Sequence, residues 1–169
     1  AALSWVFRSR RPPAPPGGGP PPRGRPPWTA ADFAAGCTGC AACVEACPEG
    51  VLKLGAGRLV ELDLSSAGCT LCGECASRCE AGLFDGARPA FPWIATIGEA
   101  CLALAGIHCR SCQDACEPAA IRFRPAPGGV ALAELDSQRC NGCGACLAPC
   151  PSQAIQLRAL STKESPRHA

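Results

Sequence analysis

Residues 37–47 read CTGCAACVEAC, and the pattern returns as CTLCGECASRC at 69–79 and CNGCGACLAPC at 140–150. All three share the spacing C-x2-C-x2-C-x3-C, which sets out Cys37, Cys40, Cys43 and Cys47, then Cys69, Cys72, Cys75 and Cys79, then Cys140, Cys143, Cys146 and Cys150. A further group, Cys101, Cys109, Cys112 and Cys116, stretches its first gap to seven residues and keeps the rest. The four groups use all 16 cysteines of the 169-residue chain. Cys40 to Cys109 is 69 residues and Cys72 to Cys143 is 71, so the chain is a duplicated unit with two groups in each half.

The rest of the composition explains why the cysteines matter to the fold. A hydrophobic fraction of 47% consists largely of 31 Ala and the 16 Cys, and Leu, Ile, Val and Phe together are only 30 of 169 residues. That is under the fifth below which disorder is suspected, yet the formal net charge is only +2. Apolar burial alone cannot hold such a chain, and a cysteine-rich one turns to disulfides or metal.

A cube of iron and sulfide needs four thiolates, and a C-x2-C-x2-C loop supplies three from one tight, glycine-friendly turn. In the bacterial two-cluster arrangement the fourth Cys of each run ligates the other cluster. Crossed ligation predicts four [4Fe-4S] clusters. The first is on Cys37, Cys40, Cys43 and Cys79, and the second on Cys69, Cys72, Cys75 and Cys47. The third is on Cys101, Cys109, Cys112 and Cys150, and the fourth on Cys140, Cys143, Cys146 and Cys116. Zinc favours separated pairs of ligands, and disulfides need an oxidising compartment that no legible export signal indicates. Ser9-Arg10-Arg11 has a twin-arginine look, but Pro12, Pro13, Pro15 and Pro16 follow where an apolar region belongs.

Two details depart from the repeat. Pro48 and Pro151 follow the fourth cysteines of the first and last groups, whereas Glu80 and Glu117 stand there in the other two. Cys101 must reach its iron across the long gap, and His108, next to Cys109, is the alternative ligand. Thiolate ligation is the rule and His is confined to special centres, which favours Cys101.

The expected fold class is α+β, two tandem bacterial 2[4Fe-4S] ferredoxin-like modules with a small core stapled by clusters. Apolar segments at 51–54, 83–84, 121–124 and 155–157 read as short strands. Residues 52–54 with 59–62, and 121–124 with 130–135, read as hairpins. A turn of helix is expected after each third cysteine. Nine Pro and four Gly in residues 11–27 exclude helix and ladder there. The domain reading is therefore a disordered basic arm at 1–27, modules at 28–92 and 93–160, and a flexible tail at 161–169.

Charge and motifs narrow the function. With each oxidised core at +2 and four thiolates at −1, every site adds −2, so the formal +2 becomes about −6. Residues 28–169 carry 11 basic and 14 acidic side chains, which puts the loaded body near −11. Such a body disfavours nucleic acid and suits a protein partner with basic surface. The longest apolar stretch, 91–109, is broken by Pro92, Thr96 and Glu99 and does not read as a membrane span, so the chain reads as soluble. His108 and His168 are the only histidines, and neither a nucleophile–base pair nor a Gly-rich nucleotide loop is present. The sequence does not read as an enzyme.

The stretches RPPW at 25–28, TIGEACLA at 96–103, CRSCQDACEPAAIRFRP at 109–125 and CNGCGAC at 140–146 resemble the NapF-type ferredoxins, four-cluster proteins associated with periplasmic nitrate reductase. The long-gap third run with its flanks is the more specific part of this resemblance. It implies a cytoplasmic protein that contacts the catalytic, molybdenum- and [4Fe-4S]-containing subunit of nitrate reductase before its export. The implied role is maturation, in the assembly or redox state of that subunit's iron-sulfur centre. The residues themselves leave a second class open, an electron carrier or relay passing single electrons between redox proteins.

Overall fold

The hairpin of the first module shows how sparingly this chain uses regular structure. In the computed structural model, which describes residues 24–127 and 131–160, β1 (Leu52–Leu54) pairs antiparallel with β2 (Val60–Leu62). Leu52 stands opposite Leu62 and Leu54 opposite Val60. Leu52, Val60 and Leu62 are buried while Lys53 points outward, and Leu54, at the end of the strand, is exposed. A 3-10 turn at Ala56–Arg58 reverses the chain between them.

The second module carries a longer version of the same hairpin. Its strands are β4 (Ile121–Pro125) and β5 (Ala131–Leu135), with Ile121 opposite Leu135. The expected residues 128–130 of this hairpin lie outside the described residues, as do residues 1–23 of the basic arm and the tail at 161–169. Between the arm and the first module the boundary differs from the expected one. Gly24 bridges to Leu62, and Pro26 and Pro27 are buried, so residues 24–27 belong to the packed body.

A third ladder is one that the sequence does not announce. β3 (Trp93–Ile97) pairs antiparallel with β6 (Ile155–Ala159), joining the start of the second module to its end, with Ile97 opposite Ile155. In the first module the same closure shrinks to one bridge, Thr29 to Phe84. Trp28 supports that bridge, donating its N–H to the Ala90 carbonyl at 2.9 Å and accepting from the Asp85 N–H at 2.9 Å.

The helices described are single turns: α1 (Phe33–Gly36), α2 (Ala42–Glu45), α3 (Glu74–Ser77) and α4 (Ser111–Asp114). Three of them begin one residue before the third cysteine of a group rather than after it, so Cys43, Cys75 and Cys112 are the second residue of each. Around Cys146 the chain makes consecutive turns instead of a helix. None of the four has a side-chain N-cap hydrogen bond. One turn without a cap is far below the length that holds itself in water, so packing must keep these helices.

That packing is divided between two principal cores, each with buried thiols set among apolar side chains. One gathers Phe33, Val51, Leu52, Val60, Leu62, Leu64 and Phe91 with Cys43 and Cys75. The other gathers Ile94, Ala95, Ala120, Ile121 and Ile155 with Cys112, Cys140 and Cys146. Leu147 and Leu157 pack against both and join the modules into one body. Among the described residues no helix is long and apolar enough to cross a membrane.

Candidate metal centres

The C-x2-C-x2-C loops owe their shape to two left-handed residues flanking the middle cysteine. They are Gly39 and Ala41 around Cys40, Leu71 and Gly73 around Cys72, and Gly142 and Gly144 around Cys143, with φ between 57° and 80°. Each reversal turns the chain so that three successive cysteines face one side. A non-glycine residue in this region costs roughly 1–2 kcal/mol, so Ala41 and Leu71 are held there by their surroundings. At Gly142 the loop has no alternative residue. Besides its φ of +77°, a Cβ there would meet the Trp93 carbonyl oxygen at 2.5 Å.

The long-gap group is made differently. Neither His108 nor Arg110, the neighbours of Cys109, is left-handed, and Arg110 has φ −135°. The intervening residues fold back through Gly106, at φ 80°, with Ile107 N–H bonded to the Leu102 carbonyl at 2.9 Å. Cys101 is thereby buried, in a small core with Ala103 and Ala154 against which Cys150 packs. His108 is exposed, on a cavity of about 200 Å³ whose lining includes Ile107, Cys109, Arg110 and Pro125 but not Cys101, Cys112 or Cys150.

Three cavities are each lined by four thiols drawn from two groups. Cys37, Cys40, Cys43 and Cys79 line one cavity of about 410 Å³. Cys47, Cys69, Cys72 and Cys75 line a second, and Cys116, Cys140, Cys143 and Cys146 a third. Of the remaining four thiols, Cys150 packs against both the core that holds Cys101 and the core that holds Cys112. Among the described residues no three His, Cys, Asp or Glu side chains converge on the point that one metal ion would occupy. A zinc ion draws its thiolates to about 2.3 Å from a single centre, whereas thiols spread around a cavity suit the corners of a cube. The donor sets fit four [4Fe-4S] clusters.

Burial governs the chemistry of these thiols. It pushes Cys69 and Cys112 up to about 11, and Cys75 and Cys146 up to about 12, with neighbouring thiolates adding to the rise. Cys43 and Cys143 move the same way for the same reason. Without iron these groups stay protonated at neutral pH, and ligation must displace their protons.

Backbone amides already point at several sulfurs. Ala95 N–H donates to Cys140 Sγ at 3.4 Å, Ala120 N–H to Cys116 Sγ at 3.3 Å and Ala154 N–H to Cys150 Sγ at 3.2 Å. The Ser152 hydroxyl lies 3.7 Å from the same Cys150 Sγ. Such donors stabilise negative charge on a ligand sulfur and help set a reduction potential. Sequence reasoning misses the three alanines, because a main-chain N–H carries no residue identity. It misses Trp93 as well, although the indole N–H donates to the Gly142 carbonyl at 3.0 Å and braces a ligand loop.

Known proteins agree with this picture. A family model described as a 4Fe-4S dicluster domain matches the chain twice, at residues 36–83 and 107–154. The ferredoxin-type protein NapF of Escherichia coli (strain K12) is 45% identical over 135 residues, covering 78% of this chain and 82% of that protein. Its namesake from Haemophilus influenzae is 42% identical over 144 residues, covering 83% and 81%. A shorter likeness, 44% over 52 residues, links 31% of the chain to 18% of a component of an ion-translocating oxidoreductase complex from Methanosarcina acetivorans. Because the likeness to the NapF proteins reaches well past the two dicluster matches themselves, the chain belongs to the NapF-type ferredoxins, iron-sulfur proteins of two tandem 4Fe-4S dicluster domains.

Proposed function

We propose that this protein is a cytoplasmic accessory factor that assists maturation of the periplasmic nitrate reductase catalytic subunit before export, acting on the assembly or redox state of its iron-sulfur centre. The observation that carries this reading is the 45% identity to NapF sustained over 135 residues, beyond the cysteine runs common to all such modules. The ligand sets we propose are the crossed ones: Cys37, Cys40, Cys43, Cys79; Cys47, Cys69, Cys72, Cys75; Cys101, Cys109, Cys112, Cys150; and Cys116, Cys140, Cys143, Cys146. A bound [4Fe-4S] cluster supplies a one-electron couple.

The residues around these sets divide the work. Cys40 and Cys72 are exposed, so two of the first module's ligands face solvent where a partner can approach. Cys140 and Cys146 are buried, and Ala95 and Ala120 aim their N–H groups at that quartet, so it is the more shielded. The acidic body attracts a basic partner surface, and the attraction is screened over about 10 Å at 0.1 M salt.

A deletion strain decides the role. Under the maturation reading it accumulates reductase with less iron-sulfur cluster and low activity, even when an artificial donor feeds the enzyme. Fully loaded reductase, fully active with that donor, would overturn maturation and leave an electron relay. The relay is favoured by a separate observation, the hydrogen bond between Cys69 and Cys143 in different modules.

A further inference from the structure

We propose that the contact of Cys69 with Cys143 joins the two modules into one electron path, through which the quartet Cys47, Cys69, Cys72, Cys75 exchanges single electrons with the quartet Cys116, Cys140, Cys143, Cys146. This rests on the crossed ligand sets above.

Cys69 N–H donates to the Cys143 carbonyl oxygen at 2.9 Å, so a ligand residue of one module is bonded to a ligand residue of the other with no residue between them. The chain is shaped for this approach. A Cβ on Gly68 would meet Ala145 Cα at 2.5 Å and Ala145 N at 2.6 Å, so only glycine lets the two backbones close. Leu64, 1% exposed, fills the space over Gly144, whose Cβ would meet Leu64 Cδ1 at 2.6 Å. With Leu147 packed against both cores, the seam is apolar and tightly filled.

The quartets fall in a row. In the first module Cys43 of the first quartet and Cys75 of the second are buried in the same core. In the second module Cys112 shares a core with Cys140 and Cys146. The order is therefore Cys37/40/43/79, then Cys47/69/72/75, then across the seam to Cys116/140/143/146, then Cys101/109/112/150. In each transfer one centre loses one electron and its neighbour gains it, and no bond forms or breaks. An external one-electron donor supplies the first electron, and in the test this donor is dithionite.

The test is magnetic. A Cys40→Ala, Cys109→Ala chain lacks one ligand of each outer quartet and should keep about eight irons, in the two inner quartets alone. Reduced stepwise by dithionite, it is expected to give a simple electron paramagnetic resonance signal at one electron per molecule. At two electrons the spectrum should be broadened by spin–spin interaction. Adding Gly68→Val, or the milder Gly68→Ala if iron is lost, should remove the broadening. A two-electron spectrum that is merely the sum of two isolated signals would overturn the proposal. If the double variant holds about twelve or sixteen irons, or none, the ligand sets are at fault. The seam is then judged by comparing Gly68→Ala with the parent chain at full iron content. Partial loss of the interaction supports it, and an unchanged spectrum overturns it.

Discussion

The indole N–H of Trp93 donates to the carbonyl oxygen of Gly142 across 3.0 Å, tying the first strand of the second module to its last ligand loop. Phe91 stacks on the same indole with ring centroids 5.0 Å apart. Trp93→Phe keeps most of the packing and loses the hydrogen bond, so it should cost about 1 kcal/mol. Gly142→Ala should cost more, because about 1–2 kcal/mol of left-handed strain is joined by the contact with the Trp93 carbonyl. Chemical denaturation of the holoprotein ranks the two. The glycine variant should also lose iron from the quartet containing Cys140 and Cys143.

Cys101→Ser is expected to lower the iron content from about sixteen to about twelve, while His108→Ala leaves it unchanged. Cys101 is buried in a core against which Cys150 packs, and His108 is exposed. Iron analysis of both variants checks the assignment. The reverse result would give the ligand position to His108.

Removal of iron should unfold the body. The helices are single uncapped turns and the cores are lined by thiols, so little is left to hold the chain once the clusters go. Circular dichroism before and after anaerobic chelation measures this. Retained secondary structure in the apo-protein would contradict it.

Ser152→Ala should lower the reduction potential of one centre in four by roughly a few tens of millivolts, since the hydroxyl at 3.7 Å from Cys150 Sγ stabilises charge there. The sign follows from the reduced centre carrying one more negative charge. A redox titration followed by electron paramagnetic resonance reads the shift. A rise would show that Ser152 does not donate to that sulfur.

The cysteine spacing makes the duplication and the tandem modules legible, because a thiol's chemistry is tied to its residue type. Both hairpins are visible for a similar reason, with Leu52, Leu62, Ile121 and Leu135 showing through as period-2 apolar runs around turns. The β3–β6 ladder is only half visible, since 155–157 reads as a strand but its partner does not. Trp93 to Ile97 reads as generic apolar chain, and its partner lies some sixty residues away, Ile97 with Ile155. The helices start one residue before Cys43, Cys75 and Cys112, after left-handed Ala41 and Gly73 in two cases and after Arg110 at φ −135° in the third. The Cys69–Cys143 contact depends on what Gly68 lacks, and a single small residue outside the repeat gives no warning of that.

The lining of the first cavity by Cys37, Cys40 and Cys43 of one run and Cys79 of the next also sets a timetable for synthesis. A nascent chain that has emerged only as far as Ser65 displays three thiols of this set with their fourth still inside the ribosome. Once Cys79 is out, both quartets of the first module have all their members while the second module is unmade. The amino-terminal half can thus mature first, as domains generally do during translation. Leu64 stays uncovered on its seam side until Gly144 and Leu147 arrive, so the finished half becomes the template against which the later half is laid.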